Sequence, residues 1–115
     1  MKTNLESILR STGVFHSYAG YGFFLEAISM AAEDPDRLKE IHKNLYLPIA
    51  ERHQADVRNV INNIKTIRNV IMRNGGYPFL EELADCKFRQ KNQPYPKEII
   101  EIFADYVRKN QISVR

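Results

Sequence analysis

The sequence predicts an all-α domain of about six helices around a central helix-turn-helix, with no wing. Two observations set the class: no window sustains the period-two alternation of a half-buried strand, and apolar residues recur at helical spacing in several segments. Each segment is bounded by a capping residue, a proline or a glycine. A third observation sets the centre. From Leu45 to Gly75 the chain reads as two helices joined by a tight turn, the second carrying Val60, Ile61, Ile64, Ile67 and Ile71 as its apolar stripe. Asp56 caps that second helix, and Gly75-Gly76 ends it, where a left-handed cap costs little. Upstream, Ile49-Ala50 pairs a large residue with a small one, as a close helix crossing requires.

The first helix is expected over Asn4 to Ser11, capped by Thr3 or Asn4, with Leu5, Ile8 and Leu9 inward and Gly13 closing it. After a connection from Val14 to Ala19, Tyr21, Phe24, Leu25, Ile28, Ala31 and Ala32 give a second helix with a broad apolar face. Asp34-Pro35 restarts helix, with Leu38, Ile41 and Leu45 as stripe, and Pro48 should break or kink it near Tyr46-Leu47. Beyond the central helix, Pro78 opens a short helix to about Cys86, with Phe79, Leu80 and Leu83 inward. A basic loop follows from Lys87 to Pro94, and Pro96 opens the last helix on Ile99, Ile100, Phe103, Tyr106 and Val107.

A chain of 115 residues fits one domain, taken here as 1–115, and can bury a core without metal or disulfide. The net charge of +3 is mild, so its distribution matters more than its size. Residues 51–74 carry five cations against two acids, and residues 87–97 carry Lys87, Arg89, Lys91 and Lys97 with no acid. The rest of the chain is net acidic. On the central helix Arg58, Asn59, Asn62, Lys65, Thr66, Arg68, Asn69 and Arg73 form a face of amides and cations suited to a polyanion. The lone Cys86 is read as a buried thiol in a reducing, cytoplasmic compartment. No apolar run reaches the roughly 18 residues of a membrane span, and no secretory leader is legible. His16, His42 and His53 are not spaced as metal ligands, and no nucleophile, base and orienting group can be assembled. No cofactor, metal or catalytic residue is expected, and Glu81-Glu82 and Glu33-Asp34-Asp36 are read as acids near helix starts.

Gly13-Val14, Gly20-Tyr21 with Glu26-Ala27-Ile28 and Met30, Leu45-Tyr46 with Ile49-Ala50, then Val60, Ile64, Val70, Gly75, Pro94, Glu98 and Ala104-Asp105 follow one another in a characteristic order. In this the chain resembles the C-terminal DNA-binding effector domain of the sporulation initiation response regulator, over roughly Leu5 to Lys109. The resemblance implies six helices, binding as tandem protomers to short repeated boxes in double-stranded DNA, and contact with RNA polymerase. By family behaviour the last helix, through Ile100, Phe103 or Tyr106, lies near the protomer contact. In the family an acid and an arginine read bases, followed by an arginine and a histidine; the corresponding positions here are Ile61, Asn62, Lys65 and Thr66. The phosphoacceptor receiver domain of the family is not visible.

Arg58, Lys65 and Arg68 are then expected on phosphates, and Asn59, Ile61 and Asn62 on base edges, with Thr66 facing DNA beside them. Asn62 could bond adenine bidentately and Ile61 touch a thymine methyl, which favours a more A·T-rich box. Ile61 also adjoins Val60 on the stripe and reads equally as core. Lys87, Arg89 and Lys91 are candidates for further phosphate contacts. The rival reading is a protein-interaction module of the same fold that modulates a full-length relative or RNA polymerase without reading DNA.

Overall fold

The computed structural model describes residues 4–89, 92, 94–112 and 114. Among them are six α-helices and no strand: α1 Leu5–Arg10, α2 Tyr21–Glu33, α3 Leu47–Arg52, α4 Val57–Asn74, α5 Gly76–Ala84 and α6 Pro96–Asn110. A 3-10 helix, Pro35–Glu40, and a π turn, His42–Tyr46, lead into α3.

Helix α2 is the axis, packing most extensively on α6 and next on α4. Its Phe24 meets Phe103 of α6 edge to face at 5.6 Å between ring centres, and Phe79 of α5 closes on the same ring at 6.1 Å. Around these rings Leu5, Ile28, Leu45, Ile49, Ile64, Ile67, Leu80 and Ile99 are fully buried. Leu25 and Ala32, expected inward, are only half-buried, while Ala27 and Met30 on the adjoining face are buried. So α2 is apolar nearly all round, as a helix packed on several sides must be.

Asn4 caps α1, its Oδ1 accepting from the Ser7 N–H at 2.8 Å; the alternative cap, Thr3, lies outside the described residues. Gly13, at φ +87, closes the helix as expected, and Val14 N–H donates back to the Leu9 carbonyl at 3.1 Å.

The segment after Asp34 departs from expectation. Asp34 does cap, accepting from Asp36 N–H at 3.2 Å, but the helix is 3-10 and then π before it becomes α. Leu38 and Leu45 are buried and Ile41 half-buried, so the apolar stripe is kept by a changed helical pitch. Pro48 produces no break. The Asn44 carbonyl, which loses its α-helical donor because proline has no N–H, accepts from Arg37 Nη1 at 2.6 Å instead. The π turn ends at Tyr46, leaving Pro48 in the first turn of α3 where its missing donor is harmless.

Three further expectations need correction. Gly75 is not left-handed (φ −119); Gly76 is, at φ +61, and α5 begins there, two residues before Pro78. Gly75 is needed for closeness, since a Cβ there would lie 2.9 Å from Phe79 Cβ and 3.0 Å from Thr12 Cγ2. Cys86 is exposed, because α5 ends at Ala84 and Asp85 turns left-handed (φ +56), taking the next residue out of the helical stripe. Glu81 sits near the end of α5, not its start, and is buried; its Oε2 accepts the Phe88 N–H at 2.8 Å and so tacks down the loop.

Candidate nucleic-acid interface

Helix α4 is one turn of chain away from α3. The turn closes with Ala55 N–H on the Ala50 carbonyl at 2.8 Å and Gln54 left-handed at φ +52. Asp56 then caps α4, accepting from Arg58 N–H at 2.8 Å. The inner face, Val60, Ile64, Ile67, Val70 and Ile71, is buried. At 100° per residue the line opposite runs through Arg58, Asn62, Lys65, Asn69 and Arg73, with Asn59 and Thr66 on one shoulder and Ile61 and Arg68 on the other. Its residues are exposed except Ile61 and Arg68, which are half-buried, and 57–74 contains no carboxylate.

Three tethers fix this helix. Gly20, at φ +84, crosses so tightly that a Cβ would lie 2.4 Å from Asn63 Cβ. Asn74 Nδ2 donates to the Thr12 carbonyl at 2.8 Å, pinning the far end to the turn after α1. Arg68 Nη1 reaches the Pro94 carbonyl at 3.4 Å, holding the start of α6 alongside.

The candidate side chains are not equivalent. The Arg58 guanidinium lies on the Asp56 carboxylate, Nη2 to Oδ2 at 3.0 Å, and this hydrogen bond holds the Asp56 carboxyl below its ordinary range. Arg58 is therefore a paired cation at the helix start. Arg68 is half-buried and bonded to Asn69 Oδ1 and to Pro94, so it is partly a structural strut. Lys65 and Arg73 are exposed with no ion-pair partner among the described residues. Thr66 Oγ1 donates to the Asn62 carbonyl at 3.0 Å, leaving its lone pairs outward. The Asn59 and Asn62 side-chain amides are exposed and bond to no described protein group. Ile61 packs against the edge of the core, so its methyls are shared between core and surface.

Of the loop candidates, Lys87 faces Glu81 at 3.7 Å and Arg89 is exposed, while Lys91 lies outside the described residues. The assignment of α6 residues to a protomer contact must be corrected. Ile100 and Phe103 are fully buried in this chain's own core, where no second protomer can touch them; only Tyr106, half-buried, keeps exposed surface.

Sequence reasoning missed the bond that sets the angle of α3. Glu26 of α2, 5% exposed, meets His53 Nε2 at 3.0 Å and Arg52 Nη1 at 3.1 Å, tying the end of α3 to the central helix. The signal was a carboxylate between Phe23, Ala27 and Met30 on a face otherwise apolar. Such a carboxylate must find a partner.

No helix among the described residues is long and apolar enough to cross a membrane. The family model described as "Sporulation initiation factor Spo0A C terminal" matches residues 5–107. The all-helical fold with its central helix-turn-helix agrees with that match, and the chain belongs to this family of DNA-binding effector domains of sporulation transcription regulators.

Proposed function

We propose that this chain is a sequence-specific transcription regulator, working in the cytoplasm, that seats α4 in the major groove of duplex DNA. The observation that carries this is the exposed line Arg58, Asn62, Lys65, Asn69 and Arg73 on a carboxylate-free helix held at Asn63, Arg68 and Asn74. An 18-residue helix is about 27 Å long and about 10–12 Å across, which matches a groove about 12 Å wide. Lys65 and Arg73, having no acid to leave, give phosphate contacts at the least cost. Asn62 lies on the same line and can accept from and donate to adenine; Asn59 and Thr66 flank it, and Ile61 offers one side of its chain to a thymine methyl. This supports preference for an A·T-rich box. Arg58 and Arg68 reach DNA by exchanging their present partners, and Arg89 adds a contact if the loop lies along the backbone.

Binding as paired protomers on tandem sites, with Tyr106 at the contact, and touching RNA polymerase follow from membership of the family rather than from any surface described above. The rival, a module that binds protein and not DNA, is favoured by two facts: Arg58 is already paired, and Ile61 is half-buried where the family reads a base. A salt titration of fluorescence anisotropy on random-sequence duplexes separates the readings. Neutralising three phosphates gives a slope near −2.7 in log affinity against log salt, or a loss on the order of forty-fold between about 50 and 200 mM. Absence of binding at the lower salt overturns the regulator reading.

A further inference from the structure

The connection between α1 and α2 borders α4 at both of its ends. At one end the Thr12 carbonyl accepts from Asn74 Nδ2 at 2.8 Å, and a Cβ on Gly13 would lie 3.8 Å from Val70 Cγ1. At the other, a Cβ on Gly20 would lie 3.4 Å from Asn63 Cα. Asn63 and Asn74 are about 16 Å apart along the helix axis, so residues 13–20 run beside much of its length. At 100° per residue Asn63, Val70 and Asn74 come next round the helix after Asn59 and Thr66. The connection therefore flanks the Asn59 and Thr66 shoulder of the exposed face. A helix about as wide as the major groove leaves its flanking segments at the groove's edge, where the phosphates are.

The outer surface of this connection has the chemistry of a contact. Phe15 to Ala19 are all exposed. Phe15, at 45%, and Tyr18, at 38%, are two of the three large apolar residues left so exposed among the described residues. Their ring centres are 6.3 Å apart, which makes them one patch. The third, Tyr95, lines a groove with Glu98, Glu101 and Asp105, a setting that repels phosphate. By contrast, Ser11 to Leu25 holds no carboxylate.

Two donors stand in the patch. The Ser17 and Tyr18 hydroxyls bond to no described protein group. His16 is engaged elsewhere, its ring on Tyr21 at 5.1 Å. The cleft that His16 and Tyr21 line takes in neither Phe15 nor Tyr18, so that pair does not serve the cleft.

We propose that the 14–20 connection is a second DNA-binding element, which grips one sugar-phosphate strand beside α4. The Ser17 and Tyr18 hydroxyls donate to phosphate oxygens, and the Phe15 ring lies against a deoxyribose. This rests on α4 entering the major groove. An exposed aromatic pair also fits a protein partner. Continuity with the carboxylate-free face of α4 and two free hydroxyl donors favour the DNA backbone, which serine and tyrosine commonly contact.

The test uses the full chain and fluorescence anisotropy on two duplexes, one of random sequence and one recovered by binding-site selection. Ser17→Ala with Tyr18→Phe removes both hydroxyls and keeps the ring. Affinity should fall on the order of tenfold, as expected for hydrogen bonds to a charged group. The fall should be equal on both duplexes and leave the salt slope unchanged, because phosphate contacts read no sequence and no cation is lost. Ser17→Lys should raise affinity and steepen the slope by about 0.9. Asn110→Lys, at the other end of α6 from the Arg68 contact with Pro94, should not. All these positions are exposed, so the melting temperature should hold in every variant. Unchanged affinity of the double variant, or equal steepening by the two lysines, overturns the proposal and leaves the α4 reading standing. Loss of self-association in Phe15→Ser with DNA affinity intact overturns it in favour of a protein contact. An unaltered chain that binds neither duplex overturns the α4 reading, and this one with it.

Discussion

Helices α4 and α6, of 18 and 15 residues, are the two long amphipathic helices of the fold, and inwardly they are alike. Each buries a stripe at helical spacing: Val60, Ile64, Ile67, Val70 and Ile71 in one, Ile99, Ile100, Phe103, Ala104 and Val107 in the other. Outwardly they differ. Helix α6 mixes Lys97, Glu98, Glu101, Asp105, Arg108 and Lys109, and Arg108 pairs with Asp105, as on an ordinary solvated face. Helix α4 shows cations and amides, and Asp56 at its start is spent on the cap. Inner stripes therefore distinguish nothing about function, whereas the outer charge pattern does.

The widest test of this comparison is in the shared part. Ile64→Ala and Phe103→Ala remove fully buried side chains, and should cost about 2–5 and about 3–5 kcal/mol in urea denaturation. That is a large share of a stability of about 5–15 kcal/mol. A loss near zero at either site would break the claim that the two stripes form one core.

The unshared part is tested next. Lys65→Ala with Arg73→Ala should flatten the salt slope of DNA binding by about 1.8, while Arg108→Ala with Lys109→Ala should leave it unchanged. Equal effects of the two pairs would show that charge alone, and not the face that carries it, governs binding. Asn62→Ala sharpens the point further. It should leave affinity for random duplexes nearly intact and lower discrimination at one base pair by about 1–3 kcal/mol, read in a binding-site selection.

The smallest effect concerns the cap. The Arg58 hydrogen bond lowers the folded Asp56 pKa below its unfolded value, so the carboxylate stabilises the fold above that unfolded value. This contribution is lost as pH falls through about 4 and below. Asp56→Asn keeps a capping oxygen but removes the charge; its urea midpoint should fall less than that of the unaltered chain between about pH 6 and 3. A parallel fall in both would assign the acid sensitivity elsewhere.

Much of the fold was legible because it depends on local rules. The Asn4, Asp34 and Asp56 caps, the Gly13 closure and the stripes of α1, α4 and α6 are all written within a few residues of where they act. What was illegible depends on contacts far along the chain. Near Tyr46-Leu47, where a break or kink was expected, the backbone stays helical and passes from π to α, and Arg37 bonds the Asn44 carbonyl that Pro48 leaves without a donor. Cys86 looked buried from its neighbours, but a left-handed Asp85 turned it out. Ile100 and Phe103, on the apolar stripe of α6 by their spacing but near a protomer contact by the family resemblance, are fully buried, with Phe24 of α2 and Phe79 of α5 against the Phe103 ring.

By itself the sequence determined the helical class, the place of the helix-turn-helix and the face of α4 that carries amides and cations, because periodicity and capping are short-range. Only the tertiary structure decided which of those cations are already engaged, how α3 is set by Glu26, and that the 14–20 connection borders α4. These rest on pairs such as Glu26 and His53, 27 residues apart, whose meeting depends on how the helices pack and which no local pattern encodes.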